Sequence, residues 1–432
     1  MVQTQLRISP RLCPLDAANV YTGPMPPEMI GVIAASSCGA PAGQVRQAGA
    51  SSALRATRAS DHLDMIRGLA AIAVLYGHAR FLLIPSPSGR NESILTKVLY
   101  VLSGYGHAAV MVFFVLSGYL ISRGIIRDDR AARWSWRSYL LARCTRLYLV
   151  LIPALLLTLA WDRIGLHIVG NSPGHGDPAH AIIEPDQIRA SDGPITLLGN
   201  LAFLQTIVVP CFGSNMPLWS LANEFWYYLI FPCCWLACRG RLRAWQRIAY
   251  GCLATLILKS VGWGIDVYFL IWLMGTALAL APPPRSPLPW VGKAATLTCL
   301  VSLLGLVGLG KIRGGAGVDF MVAFAFAVFL YTVLHDPFPA GHDVYARVAR
   351  TLSGCSYSSY LTHVPFLIFL RAVFTYQRPW NADLLHWLLF GLVCLTTLGY
   401  AYLISRITEA HTDRVRRSLA GWLMPSAKLA AN

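Results

Sequence analysis

Leu63-Asp64-Met65-Ile66-Arg67-Gly68-Leu69-Ala70-Ala71-Ile72-Ala73-Val74-Leu75-Tyr76-Gly77-His78 opens the first long apolar run of the chain, and it sets an arginine and a histidine eleven residues apart within it. At 1.5 Å of rise per residue, a helix separates them by roughly 16 Å, so Arg67 reaches the headgroup level while His78 lies deeper in hydrocarbon. Lipid offers nothing to solvate such groups, and structure alone is built more cheaply from apolar residues. Both are therefore site candidates.

Working outward, the 432 residues are 55% hydrophobic and only 13% charged, and apolar runs recur from residue 66 almost to the C-terminus. Runs of this length without period-2 alternation exclude a β-barrel and define an all-α, polytopic transmembrane helix bundle. The net charge of +16 comes mostly from arginines between the runs, a topology signal rather than a nucleic-acid surface. Eleven cysteines suggest a disulfide or metal framework, but most of them, Cys144, Cys233, Cys234, Cys252, Cys299, Cys355 and Cys394 included, fall in apolar runs and lack paired CxxC spacing. They read as small hydrophobes.

Residues 1–60 are rich in Ala, Ser, Gly and Pro and read as a disordered cytosolic tail; 61–408 form the transmembrane domain and 409–432 a second cytosolic tail. Apolar segments fall at 66–85, 97–121, 138–161, 195–209, 218–238, 248–263, 265–281, 290–310, 318–334, 354–375 and 384–405. Eleven full spans would put the Arg239, Arg241, Arg243, Arg247 loop outside, against the positive-inside rule. The 195–209 segment is shorter than the roughly 17 residues a span needs. The expectation is therefore about ten spans plus a re-entrant segment at 195–209, with both termini and the Arg123 to Arg137, Arg239 to Arg247 and Arg406 to Arg417 loops cytosolic. The acidic loop 162–194 is then extracytoplasmic.

Four short stretches together resemble one family. Leu63-Asp64 with Arg67 and His78, followed by Val110-Met111-Val112-Phe113-Phe114-Val115-Leu116-Ser117-Gly118-Tyr119-Leu120-Ile121, is similar to the opening of the membrane-bound acyltransferase 3 family. Arg143-Cys144-Thr145-Arg146 resembles its RxxR stretch, Trp219-Ser220-Leu221-Ala222-Asn223-Glu224 its WSLxxE motif, and Ser356-Tyr357-Ser358-Ser359-Tyr360-Leu361-Thr362-His363 its SYSxYLxH motif, in the same order. The resemblance covers roughly 61–405. It implies an O-acetyltransferase-like enzyme of a bacterial inner membrane, moving an acyl group, commonly acetyl from acetyl-CoA, onto a hydroxyl of a carbohydrate such as a surface or exported glycan. The implied partners are acyl-CoA, a hydroxyl-bearing acceptor and the bilayer, with no permanently bound cofactor, no metal and no nucleic acid.

Acyl transfer to an alcohol needs a base, a donor site and stabilisation of the developing oxyanion. With that resemblance, His78 is the candidate base, since an imidazole titrates near neutrality; a structural hydrogen bond to a neighbouring helix is the bland alternative. Arg67 stays charged and suits phosphate binding or carbonyl polarisation, or else simply snorkels to headgroups. Arg143 and Arg146, three apart on one helix face, are the donor-site candidates, because paired guanidiniums bind phosphates bidentately. Glu224, set near the outer face by this threading, orients a histidine, holds acceptor hydroxyls or pairs with an arginine. Trp219 and Ser220 are acceptor-binding candidates, and His363, roughly 14 Å into its span, reaches a depth matching His78. Two mechanisms follow: direct transfer, or relay through an acyl-histidine. A transporter of a small anionic or sugar-like solute would also place Arg, His and Glu inside a bundle, but the chain has no visible inverted repeat.

Overall fold

The computed structural model describes residues 58–84, 94–169, 185–282, 297, 300, 305, 315–335, 343–374 and 380–423. The expected 290–310 segment, apart from residues 297, 300 and 305, and nearly all of the N-terminal tail lie outside these residues. Among the described residues, regular structure is helical apart from one isolated bridge between Gln205 and Val209. The helices are α1 (Arg58–Leu83), α2 (Ile94–Leu102), α3 (Gly106–Arg130), α4 (Trp136–Val169), α5 (Pro185–Ser191), α6 (Pro194–Leu201) and α7 (Leu218–Ala237). There follow α8 (Ala244–Val261), α9 (Trp263–Leu280), α10 (Ala316–His335), α11 (Asp343–Phe374), α12 (Leu384–Ile407) and α13 (Thr412–Leu423). Six helical stretches, Ser60–Leu83, Thr96–Arg130, Trp136–Ile168, Trp263–Leu280, Ala316–His335 and Leu384–Leu423, are long and apolar enough to cross a bilayer. The protein is a polytopic helical membrane protein.

Side-chain contacts fix the direction of the helices. Arg67 meets Ser353 and His78 meets His363, so α1 and α11 run parallel, and Trp161 of α4 lies on Phe366 and Phe369 in the same sense. Ser117 meets Glu224 and Trp272, His107 meets Asp319, and Trp235 meets Asp129, so α3, α7, α9 and α10 also share a direction. Helix α12 runs antiparallel to α11, with Tyr400 on Phe366 and Thr408 on Ser358. The arginine-rich ends consequently meet at one end of the bundle, where Arg239 grips the buried Asp129 carboxylate.

Two seams depend on missing side chains. A Cβ on Gly118 would collide with the Trp272 carbonyl, and one on Gly275 with the Val115 carbonyl, while Ser122 and Thr276 share a 2.6 Å hydrogen bond one turn further on. Small residues let two backbones approach closely and a hydroxyl pair ties them, a packing mode suited to lipid, where no hydrophobic effect drives helices together. Gly68 does the same between α1 and α11: a Cβ there would lie 2.5 Å from the Leu352 Cβ.

The 195–209 segment is helical only over Pro194–Leu201, then folds through left-handed Phe203 and Thr206. Its backbone and that of the following loop are satisfied by buried side chains. Asn200 donates to the Thr196 and Pro210 carbonyls and accepts from the Phe212 amide, Gln205 donates to the Leu218 carbonyl, and Asp162 accepts from the Ser214 amide and hydroxyl. Asn215 donates to Thr158 and to the Leu361 carbonyl, joining this loop to α4 and α11. The side chains of Phe203, Gln205 and Phe212 are buried, whereas Ile195, Leu198 and Val208 are exposed.

Candidate active site

The two histidines eleven and ten residues beyond the Arg67–Ser353 contact meet. His78 Nδ1 lies 2.9 Å from His363 Nε2, and His363 Nδ1 lies 2.8 Å from the Ser359 carbonyl oxygen one turn back on α11. A carbonyl only accepts, so His363 carries its proton on Nδ1 and its Nε2 is bare. That nitrogen then accepts from His78, whose proton sits on Nδ1. The chain of bonds leaves His78 Nε2 with a free lone pair on a half-buried ring, whereas His363 is fully buried.

Below the pair, toward the arginine-rich end, lies a cavity of about 540 Å³ walled by α1, α3, α4, α7, α11 and α13. Six arginines line it, Arg67, Arg127, Arg133, Arg143, Arg146 and Arg416, against the carboxylates Asp128 and Glu224. Its deep end is closed by Phe113, Ser117, Ser220 and Tyr360. Phe113 stacks edge-on against Tyr360, and the Tyr360 ring lies 6.2 Å from that of His363. One tyrosine thus separates the cavity from the histidine pair.

The arginines differ in how they are held. Arg67 is tied through Nη2 to the Ser353 hydroxyl and carbonyl and to Asp64 at 3.5 Å, which anchors it to the α1–α11 seam. Arg143 lies over the rings of Tyr139 and Tyr228. Neither Arg143 nor Arg146 makes a hydrogen bond or close ion pair with any described residue. Glu224 and Glu409 are the carboxylates whose fields reach Arg146. Two guanidiniums inside a bundle, facing a cavity and lacking direct partners among the described residues, have the chemistry to receive an anion.

Glu224 departs from its expected position. The helix repeat puts residues 220, 224 and 228 of α7 on one face, and the structure turns that face into the arginine cavity, where Glu224 accepts from Ser117 at 3.2 Å and from Tyr228. Glu224 is consequently a wall of the arginine cavity. The same phase separates Trp219 from Ser220. Ser220 bonds Tyr360 at 2.6 Å and lines the arginine cavity, while Trp219 and Asn223 face a second, shallower cavity of about 340 Å³ with Thr206, Trp263 and Tyr268. Phe114 packs against both Trp219 and Tyr268 as a partition.

Several site residues carried no signal on their own in the sequence. Tyr228, Tyr357 and Arg416 line the cavity, and Ser359 fixes the tautomer of His363. Tyr357, Ser359 and Tyr360 stand in the motif that contains His363, one to two turns before it, so helical phase was the available clue. Asp319, in the first turn of α10, is buried and pairs with His107 at 3.0 Å and Tyr268 at 3.2 Å.

An oriented histidine pair close to an arginine-lined cavity, inside a helical membrane bundle, has the groups that proton transfer and an anionic ligand require. The family's sequence model for the acyltransferase domain, Acyl_transf_3, matches residues 61–406. The chain belongs to the acyltransferase 3 family and is an acyltransferase. No curated protein and no solved structure matches it.

Proposed function

We propose that this protein transfers an acyl group, acetyl being the expected one, from acyl-CoA to a hydroxyl of a carbohydrate such as a surface or exported glycan. The observation that carries the donor half is the cavity in which Arg143 and Arg146 lack direct partners among the described residues. Coenzyme A presents several phosphate charges, and a volume of about 540 Å³ is within the range of small-molecule sites. Phe113, Ser117, Ser220 and Tyr360 close the deep end, where the thioester would lie nearest Tyr360.

In this reading the arginine-rich end is cytosolic, the ten-span threading places 290–310 as the span between α9 and α10, and residues 194–217 dip in from the extracytoplasmic side. The 61–408 domain is then anchored in a bacterial inner membrane with both tails in the cytosol. His78 is the general base. Its Nε2 takes the proton from the acceptor hydroxyl as the oxygen attacks the thioester carbonyl; the C–S bond then breaks, and the CoA thiolate recovers that proton from the His78 imidazolium. His363 acts through His78 as a positioning residue, holding the tautomer that frees Nε2.

One observation favours a second reading. His78 and His363 are absent from the residues lining the arginine cavity, so an acyl group carried on His78 Nε2 could link a cytosolic donor to an acceptor on the other face. Incubating the purified protein with radiolabelled acetyl-CoA and no acceptor separates the two: protein-bound label that is absent in His78→Ala supports the relay, and none supports direct transfer. The function itself is tested by mass spectrometry of surface-glycan acetylation in cells expressing wild type or His78→Ala at equal level. Acetylation that is identical in both, or that does not respond to the protein at all, overturns the proposal.

A further inference from the structure

Helix α13 is short and rich in arginine, unlike the apolar helix α12 that precedes it. It follows α12 after a break at Thr408 and a single 3-10 turn, Glu409–His411, and packs against α4 at the arginine-rich end of the bundle. At 100° per residue, Trp422, Leu419 and Leu423 fall within an arc of about 100°, while Arg414 and Arg417 lie well off it. The apolar edge is not covered by the described residues: Trp422 is 78% exposed, Leu423 51% and Leu419 37%. Beside that edge, Arg416 lines the arginine cavity, its guanidinium steadied by Asp413 at 3.0 Å.

An exposed tryptophan and two leucines along one edge, with Arg416 beside it and Arg414 and Arg417 around the polar side, on a helix that follows a transmembrane one after a single 3-10 turn, match the chemistry of an anionic headgroup layer. The apolar edge enters the acyl boundary and the guanidiniums meet phosphate. A soluble protein partner would need to approach a surface already lying at the membrane. We propose that α13 is a headgroup-bound helix of the cytosolic leaflet, and that this contact holds Arg416 at the mouth of the arginine cavity, where it contributes to donor binding. The membrane thereby shapes the donor site. The role of Arg416 rests on the donor reading above; the membrane contact of α13 does not.

The test uses the full chain in nanodiscs of mixed phosphatidylglycerol and phosphatidylcholine. An environment-sensitive fluorophore on Trp422→Cys, in a background cleared of other reactive thiols, is expected to be quenched by nitroxide lipids labelled near the headgroup and protected from aqueous iodide. Iodide quenching equal to that in detergent overturns the membrane contact, as does disulfide cross-linking of the introduced thiol between two copies of the unlabelled Trp422→Cys variant. For the coupling, the Leu419→Gln/Trp422→Gln pair is expected to raise the apparent KM for acetyl-CoA about three- to tenfold without changing kcat, as Arg416→Ala does, and the combination is expected to be no worse than either. Elution as a monodisperse protein checks that the variants fold, and a single Trp422→Gln replaces the pair if they do not. If Arg146→Ala raises the KM while Arg416→Ala and the Gln variants leave it unchanged, the coupling of α13 to the donor site fails and the donor reading stands. If none of them changes it, the donor reading itself fails.

Discussion

Replacing His363 separates a histidine that reacts from one that positions. In His363→Ala the bond from His78 Nδ1, 2.9 Å long, loses its acceptor, and with it goes the bond to the Ser359 carbonyl that fixed the acceptor's tautomer. A hydrogen bond to a group that becomes charged is worth about 1.5–3 kcal/mol, and each 1.36 kcal/mol is tenfold in rate, so kcat is expected to fall about 10- to 150-fold. His78→Ala removes the base and is expected to cost about 10²- to 10⁴-fold. His363→Gln, whose amide oxygen can accept in place of Nε2, is expected to recover part of the loss. The decisive measurement is the double variant. A positioning residue has nothing left to position once His78 is gone, so His78→Ala/His363→Ala is expected to match His78→Ala alone. CoA release in nanodiscs with a thiol reagent, corrected for protein level, gives all four rates. Losses that multiply in the double variant refute the argument, as does a His363→Ala enzyme with wild-type kcat.

Three further outcomes follow from the geometry. Arg146→Ala is expected to raise the apparent KM for acetyl-CoA at least tenfold in a titrated membrane assay, with Arg146→Lys restoring only part, because a point charge lacks the planar fork; an unchanged KM removes the arginine pair from the donor site. Gly275→Leu drives a side chain into the Val115 carbonyl and is expected to abolish recovery of folded protein by size-exclusion chromatography, whereas Gly251→Leu, which faces only a distant Ala237 Cβ at 3.9 Å, is expected to be tolerated. Single cysteines at Ala190 and Arg243, both exposed, are expected to react oppositely with a membrane-impermeant maleimide on intact cells, labelled at 190 and silent at 243; the reverse pattern overturns the threading.

The architecture was legible because lipid leaves the backbone few options. Apolar runs of sufficient length must be helices, and arginine placement ranks their orientations. The helix directions set by Arg67–Ser353, Trp235–Asp129 and Thr408–Ser358 agree with a chain that returns to the arginine-rich end at each of its basic loops. Helix ends were less legible. The segment predicted at 354–375 belongs to a helix that begins at Asp343, since Arg347, Arg350 and Thr351 are polar yet perfectly able to continue a helix that emerges from the bilayer. Cys252, read as a small buried hydrophobe, is exposed on α8, where the surface itself is apolar.

The site was legible by residue type and much less by partition. Hydropathy identifies which ionisable groups are out of place, and His78, His363, Arg143, Arg146 and Glu224 all satisfy that criterion. It does not report which way each one turns, because a rotation of 100° per residue sends Trp219 and Ser220 into different cavities while leaving them adjacent in sequence. Depth estimates from helix rise have the same blind spot. They matched His78 to His363 because those two helices are parallel and in register, yet they set Glu224 beside an outer acceptor when its face of α7 points at the arginines. Helical phase, counted from a residue whose surroundings are known, supplies the missing coordinate: Ser220, Glu224 and Tyr228 share one face, and Ser356, Tyr360 and His363 nearly share another. With both coordinates, residues of the four motifs line up along the cavity from Arg146 and Glu224 to Tyr360, and the histidine pair stands behind that ring.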